Sequence, residues 1–423
     1  MVIRRRFHVL VVAALTALLL VILRTWRLVP AVSYAGDNGL PQCQSWSVAP
    51  DLFVSPAFAQ DRTMFYEGYD YDLDEVFLAK STDGGLSWSR SLLCNEAVAD
   101  VTFSLNYVGD RAIYLGFVDL SLARSTDGGQ SWASVLSPEA RGAPSLAVVD
   151  AKTVFLGVGG GPPYLYPEQG LFYTADGGGI WARLYTGGVT DVVLSPQFAV
   201  DHTLLIGIGG YHWNGGILKS TDGGHTWQPS REGLEWGSDG ATFDITFAPG
   251  YAENQTLFCL SWDTLYRSTD GGAHWVRLAK ELVDYPNPPT FGSVWQFVVS
   301  PRYAVDQTLW LWGVHEGRGI STDGGATWRR LPYPVNPIAA GEYCLPGGSC
   351  GVELFGYFWD DKGDYVYKSF DGGQTWHCLE ADVTPVTPTP EPSPVPEIPE
   401  TATWLLLAGG LTGLAGYLWR KKR

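Results

Sequence analysis

STDGGLSW, from Ser81 to Trp88, decides the fold, because the chain carries seven versions of it. The others are STDGGQSW at Ser125, TADGGGIW at Thr174, STDGGHTW at Ser220, STDGGAHW at Ser268, STDGGATW at Ser321 and SFDGGQTW at Ser369. Successive copies start 44 to 53 residues apart. A period of about 40–50 residues is what four short strands and their turns consume, which is one propeller blade. Such a sheet cannot bury both faces alone, so seven of them must stack in a ring.

Each octapeptide has the chemistry of a turn. The carboxylates of Asp83, Asp127, Asp176, Asp222, Asp270, Asp323 and Asp371 are placed to accept backbone N–H groups, as in Asx-turns. The Gly-Gly pair that follows takes positive φ without steric cost. The terminal Trp is expected to pack back onto its hairpin. The third copy has Ile180 where the others carry Ser, Thr or His, and is the weakest.

A second repeat precedes four of the copies: SPAFAQDRTM at Ser55, SPQFAVDHTL at Ser195, APGYAENQTL at Ala248 and SPRYAVDQTL at Ser300. Apolar runs such as Val192-Val193-Leu194 and Leu204-Leu205-Ile206 flank it, which reads as strand, turn, strand. Blades two, three and seven are expected to shorten this connection, as at Val108-Gly109-Asp110-Arg111. Each blade then runs strand A, the SP-type turn, strand B, a variable loop, strand C, the octapeptide and strand D.

The octapeptide resembles the Asp-box, or BNR repeat, of sialidases, sortilin-type receptors, xyloglucanases and a photosystem II assembly factor. The resemblance extends over roughly residues 43–382. It implies an all-β, seven-bladed β-propeller, here over 36–382, with each box between the third and fourth strands at the periphery. It implies no single function, because these families do unrelated things.

The ends read differently. Residues 1–35 form a signal peptide or signal anchor: Arg4-Arg5-Arg6, an apolar run from Phe7 to Leu23, and Ser33-Tyr34-Ala35 as a small-x-small cleavage site. Residues 383–402 are a Pro/Thr/Glu-rich linker, expected to be extended. Residues 403–423 read as a short transmembrane helix closed by Arg420-Lys421-Lys422-Arg423, which places the propeller outside the cell. Ile398-Pro399-Glu400-Thr401-Ala402 is similar to the sortase pentapeptide, departing at Ile for Leu and Ala for Gly. Val395-Pro396-Glu397 is equally similar to PEP-type sorting signals.

Nine of the 28 basic residues and none of the 44 acidic ones lie in the two ends, so the stretch between carries a net charge of −25. That surface repels nucleic acid and suits cations or neutral sugars. Six cysteines in an exported chain point to disulfides. Cys344 and Cys350 are expected to clamp the A–B hairpin of blade seven. Cys43 has two candidate partners, Cys378 across the ring closure and Cys94.

Propellers bind ligands on the face made by the B–C and D–A connections. The variable B–C loops offer Tyr69 and Tyr71 in blade one, Tyr164 and Tyr166 in blade three, and Tyr211, His212 and Trp213 in blade four. Blade five adds Trp262 and Asp263, blade six His315 and Glu316, and blade seven Trp359. Aromatic faces beside carboxylates and amides suit sugar rings and their hydroxyls. Asp70, Asp72 and Asp74 in blade one, with Asp360 and Asp361 in blade seven, have oxygen ligands at calcium-loop spacing but lack an EF-hand's Gly and distal Glu. The expectation is solvated charge and no cofactor, with calcium as the alternative. No catalytic residue is assigned. The Arg-Ile-Pro strand of sialidases is absent, and Arg90, Arg183, Arg277, Arg329 and Arg330 follow the octapeptides onto outer strands. The reading is a non-catalytic recognition or scaffold module at the cell surface, for a glycan or protein ligand. The alternative is a secreted glycoside hydrolase, which would need two carboxylates, about 6.5–9.5 Å apart in an inverting enzyme.

Overall fold

The computed structural model describes residues 52–384, except 71–74, 95, 141, 160–166, 210–214, 235–242, 262–263, 279–293, 314–316, 346, 361–362 and 380–382. Seven antiparallel sheets follow one another along the chain, at 52–94, 98–135, 143–186, 189–229, 243–277, 294–330 and 336–378. Each has four strands in sequence order, and each octapeptide joins the third strand to the fourth. First strands such as Val189–Leu194 are buried along their whole length and lie innermost. Fourth strands are two residues long in blades 4 to 7, as at Gln228–Pro229 and Arg329–Arg330, and longest in blade 1, at Trp88–Cys94. Arg90, Arg183 and Arg277 also lie on fourth strands.

The core is divided into seven apolar clusters, one per blade-to-blade seam. Each cluster contains the octapeptide Trp of the later blade: Trp132 between blades 1 and 2, then Trp181, Trp227, Trp275, Trp328 and Trp376, and Trp88 between blades 7 and 1. The Trp does lie back on its own turn, with Trp328 Nε1 donating to the Gly325 carbonyl at 3.1 Å. It is also a wedge into the preceding blade, where Trp132 Nε1 donates to Ser91 Oγ at 2.9 Å. The second glycine of the octapeptide has the same neighbour. A Cβ on Gly85 would collide with Leu379, and one on Gly178 with Val135. Glycine is thus required there twice, by φ of +85° and +101° and by close approach.

The SP-type turn folds as a single helical turn at Phe58–Asp61, Phe198–Asp201, Tyr251–Asn254 and Tyr303–Asp306. Blade 2 has the same turn at Tyr107–Asp110, contrary to the shortened connection expected there. Ser104 Oγ donates to Asp110 at 2.7 Å, as Ser55 does to Asp61 at 3.1 Å, so the turn forms in blade 2 without the proline. The residue after each helix sits at positive φ, Arg62 at 49° for example, which aims its carbonyl at the octapeptide. The Gly84 N–H donates to it at 3.0 Å. The A–B and C–D turns therefore share one face of the ring, and the B–C and D–A connections share the other.

Ring closure adds a fifth strand to the first sheet. Val383–Thr384 pairs in parallel with Trp88–Cys94, Val383 opposite Trp88. Cys344 and Cys350 form a disulfide across the A–B hairpin of blade 7. Cys378 is disulfide-bonded, whereas Cys94 is a free, buried thiol, which removes the Cys43–Cys94 pairing. Among the described residues no helix is long and apolar enough to cross a membrane. Segments 1–35, 385–402 and 403–423, with their export, linker and anchor expectations, lie outside the described residues.

Candidate functional site

The octapeptide carboxylates come first, because they recur seven times. Asp83 Oδ1 accepts from the Ser81 hydroxyl at 2.7 Å and from the N–H groups of Leu86 and Ser87 at 3.0 Å. Its Oδ2 accepts from the Ser87 hydroxyl at 2.5 Å. Both oxygens are therefore committed to the turn. The Thr327 hydroxyl and N–H, then the Ser321 hydroxyl, hold Asp323 down to about 2 against partial burial. Burial pushes Asp270 up, but the His274 N–H and imidazole and the Ser268 hydroxyl outweigh it and bring it to about 2. These are carboxylates stabilised as anions by donors of their own loop, which is a structural role.

The opposite face carries exposed tryptophans. The first strand of blade 6, Val294–Val299, has a bulge between Val294 and Gln296. The bulge turns Trp295 outward, 49% exposed, at the D–A end of the strand. Trp312, near the end of Leu309–Gly313, meets it edge-to-face with centroids 5.3 Å apart. Gln296 sets this pair. It accepts from Trp312 Nε1 at 3.0 Å and donates to the Ile338 carbonyl of blade 7 at 3.2 Å. Arg318 Nε donates to Asn336 at 2.6 Å across the same seam. In blade 7, Trp359 is 63% exposed at the B–C end of Cys350–Asp360.

Of the residues expected from sequence, Trp359 is on this face with its side chain free to meet a ligand. Tyr69 and Asp70 end the second strand of blade 1, opposite Val76 and Glu75, and Asp360 ends that of blade 7, opposite Gly363. Blades 7 and 1 are neighbours in the ring. Tyr71, Asp72, Asp74, Tyr164, Tyr166, Tyr211, His212, Trp213, Trp262, Asp263, His315, Glu316 and Asp361 lie outside the described residues, and the calcium expectation rests on that set. In blade 7 the second strand runs to Asp360 and the third begins at Gly363, so Asp364 belongs to the third strand, where it accepts from the Tyr357 hydroxyl at 2.6 Å. Sequence reading missed Trp295 and Trp312. Their strands look like ordinary core strands, and only the bulge and the strand end bring these rings to solvent.

The A–B face has its own depression on the ring axis, a cavity of about 360 Å³. Pro56, Pro196, Pro249 and Pro301, from four SP-type turns, line it with Leu105 and Phe247. It offers apolar contact and no titratable group.

No protein-family model matches the chain. It is 28% identical over 177 residues to a xyloglucanase of Paenibacillus sp, covering 36% of this chain and 17% of that one. It is 26% identical over 238 residues to xyloglucanase Xgh74A of Acetivibrio thermocellus, covering 47% and 26%. The match thus spans 26% or less of the length of these curated relatives. Among solved structures, YCF48 from Cyanidioschyzon merolae superposes with a TM-score of 0.51 at 17% identity, over 78% of this chain and 97% of that one. The GH74 enzyme of Niastella koreensis gives 0.50 at 13% identity, over 80% and 67%. At such identities the shared feature is the fold, a seven-bladed propeller like those of YCF48 and the GH74 xyloglucanases.

Proposed function

We propose that this protein is a non-catalytic recognition module displayed outside the cell, and that it binds glycans on the face of the B–C and D–A connections. The observation that carries this reading is the trio Trp295, Trp312 and Trp359 in adjacent blades on that face. Flat indole faces stack on the apolar side of a sugar ring, and side chains of the surrounding connections reach its hydroxyls. The acidic surface favours a neutral glycan over an anionic one. The C-terminal segment is proposed as its membrane anchor.

A glycan-binding screen including xyloglucan oligosaccharides, repeated with Trp295→Ala/Trp359→Ala, tests the reading. Binding that falls in the variant supports it, and equal binding by both proteins, or none by either, removes it. The sequence match to xyloglucanases favours a second reading, a glycoside hydrolase. Reducing ends released from xyloglucan by the purified protein would replace the first reading with the second.

A further inference from the structure

Blade 7 joins its first two strands unlike any other blade. Five blades use a single helical turn there, and blade 3 uses a short turn closed between Val149 and Thr153. In blade 7 the second strand passes Leu354, which pairs with octapeptide Ser369 as Leu309 pairs with Ser321 in blade 6. Beyond that level the ladder continues for four more pairs, from Gly341–Glu353 to Cys344–Cys350. The hairpin is thus about 13 Å longer than the repeat requires. Both neighbouring blades brace it. A Cβ on Gly341 would collide with Phe58 of blade 1. Arg302 of blade 6 donates to the Cys350 carbonyl through Nη1, and its Nε stands 3.4 Å from Glu342.

Among the described residues, this hairpin is where two sulfurs and a carboxylate meet. A Glu342 oxygen, Cys344 Sγ and Cys350 Sγ lie within 4.8 Å of one another. Cys344 is exposed, Cys350 is half-buried and the Glu342 side chain is 37% exposed, so solvent reaches the set. Tetrahedral zinc holds thiolate sulfur at about 2.3 Å and carboxylate oxygen at about 2.0–2.2 Å, which puts its ligand atoms about 3.5–3.8 Å apart. Cys344 and Cys350 face each other across the ladder. Opening their bond leaves that ladder and its braces in place, and side-chain rotation brings the sulfurs to the required spacing.

We infer that the hairpin is a redox-gated metal site: once the Cys344–Cys350 bond is reduced, it takes a divalent ion of the zinc class through Cys344, Cys350 and Glu342. In oxidising surroundings the disulfide is the resting form. A dithiol reductant supplies two electrons and two protons, the S–S bond breaks to two thiols, and the reductant leaves as its own disulfide. The ion then binds both sulfurs as thiolates with one Glu342 oxygen, and two protons pass to solvent. Water completes the tetrahedron. Two thiolates select zinc-like ions over calcium or magnesium. The bound set has a net negative charge, which the Arg302 guanidinium beside Glu342 offsets. The site is remote from the tryptophan face and stands or falls independently of it.

The test uses the full chain, reduced with a phosphine and desalted without oxygen. Cobalt(II) is the probe, because its thiolate complexes absorb in the near ultraviolet by sulfur-to-metal charge transfer. Reduced wild type is expected to develop that band and to lose it when zinc is added, and the unreduced protein is expected to show none. Cys344→Ser/Cys350→Ser, reduced in the same way, keeps every other thiol and is expected to lose the band. Glu342→Gln is expected to keep the band and to weaken cobalt binding at least about tenfold. Circular dichroism shows which reduced forms are folded, and if the double serine variant is not, Glu342→Gln carries the decision. No band in reduced wild type, an equal band in the double serine variant, or undiminished affinity in Glu342→Gln overturns the site.

Discussion

Between blades 1 and 2 one blade leads directly into the next; between blades 7 and 1 the chain crosses only through its last described strand, Val383–Thr384, laid on the outer edge of blade 1. The first seam is packed by Phe65, Phe103, Tyr107 and the partly buried Trp132, with Arg111 reaching back to Asp61 at 2.8 Å on the surface. The closing seam uses the same parts in stronger form. Trp88 is 2% exposed and meets Tyr66 edge-to-face at 4.8 Å. Arg62 reaches back in the same way as Arg111, but onto the fully buried Glu353. Val383–Thr384 pairs with the outer strand, and Cys378 is covalently tied. The difference has a physical cause. Consecutive blades are held at high effective concentration by a short connection, whereas the first and last meet only after the whole ring has formed. The closing contacts must offset that entropy, and the returning strand Val383–Thr384 is one of them.

Trp88→Ala breaks the comparison most sharply. Removing a fully buried indole is expected to cost about 3–5 kcal/mol, and Trp132→Ala, on a half-buried ring, clearly less. Urea midpoints of the two variants measure the gap, and equal losses would mean the closing seam is nothing special.

Cys378→Ser is expected to cost about 2–4 kcal/mol by freeing the ring closure. Cys43 is the one cysteine left as its partner, since Cys94 and Cys259 are free and Cys344 pairs with Cys350. Peptide mapping without reductant should recover the Cys43–Cys378 pair, and alkylation of both thiols would refute the pairing.

The two arginines sharpen the contrast. Arg62→Ala leaves a buried carboxylate facing only Lys368, which is expected to cost about 2–3 kcal/mol, discounted because Arg62 is 31% exposed. Arg111→Ala removes a surface pair and should cost less than about 1 kcal/mol. A reversed order in denaturant titrations would contradict the burial argument.

The smallest effect belongs to the seam between blades 4 and 5. There the octapeptide has His274 where most copies have Ser or Thr, 2.6 Å from Asp270 and 3.4 Å from Glu232. The Asp270 hydrogen bond, then the Glu232 and Asp270 charges, raise the His274 pKa. A raised folded pKa gives stability that is full below about 6.5 and is lost as pH rises through the folded value. Melting temperature should therefore fall slightly from pH 6 to 8, and His274→Thr should flatten that slope. An unchanged slope in the variant would mean the imidazole is not the cause.

How much of this was legible in the sequence follows from how local each feature is. Ser81, Asp83 and Ser87 bond within one octapeptide, so the repeat announced its own turn, the blade count and the strand order. The turn in blade 2 was hidden because Leu105 stands where Pro stands in its siblings, although Ser104 and Asp110 were in place.

What the chain by itself determined was the ring: seven sheets, the octapeptide between third and fourth strands, and the disulfide-spaced hairpin of blade 7. What only tertiary structure decided was which aromatic rings and carboxylates face what. Trp310 is buried, while Trp312, two residues on and on the same side of its strand, reaches the strand end beside Trp295. Glu353 reads as one acidic residue among 44 until the ring closes and Arg62, 291 positions away, meets it. A side chain's face changes with every residue and shifts again at every bulge, and its partners come from the neighbouring blade. Those relations exist only after the blades have packed.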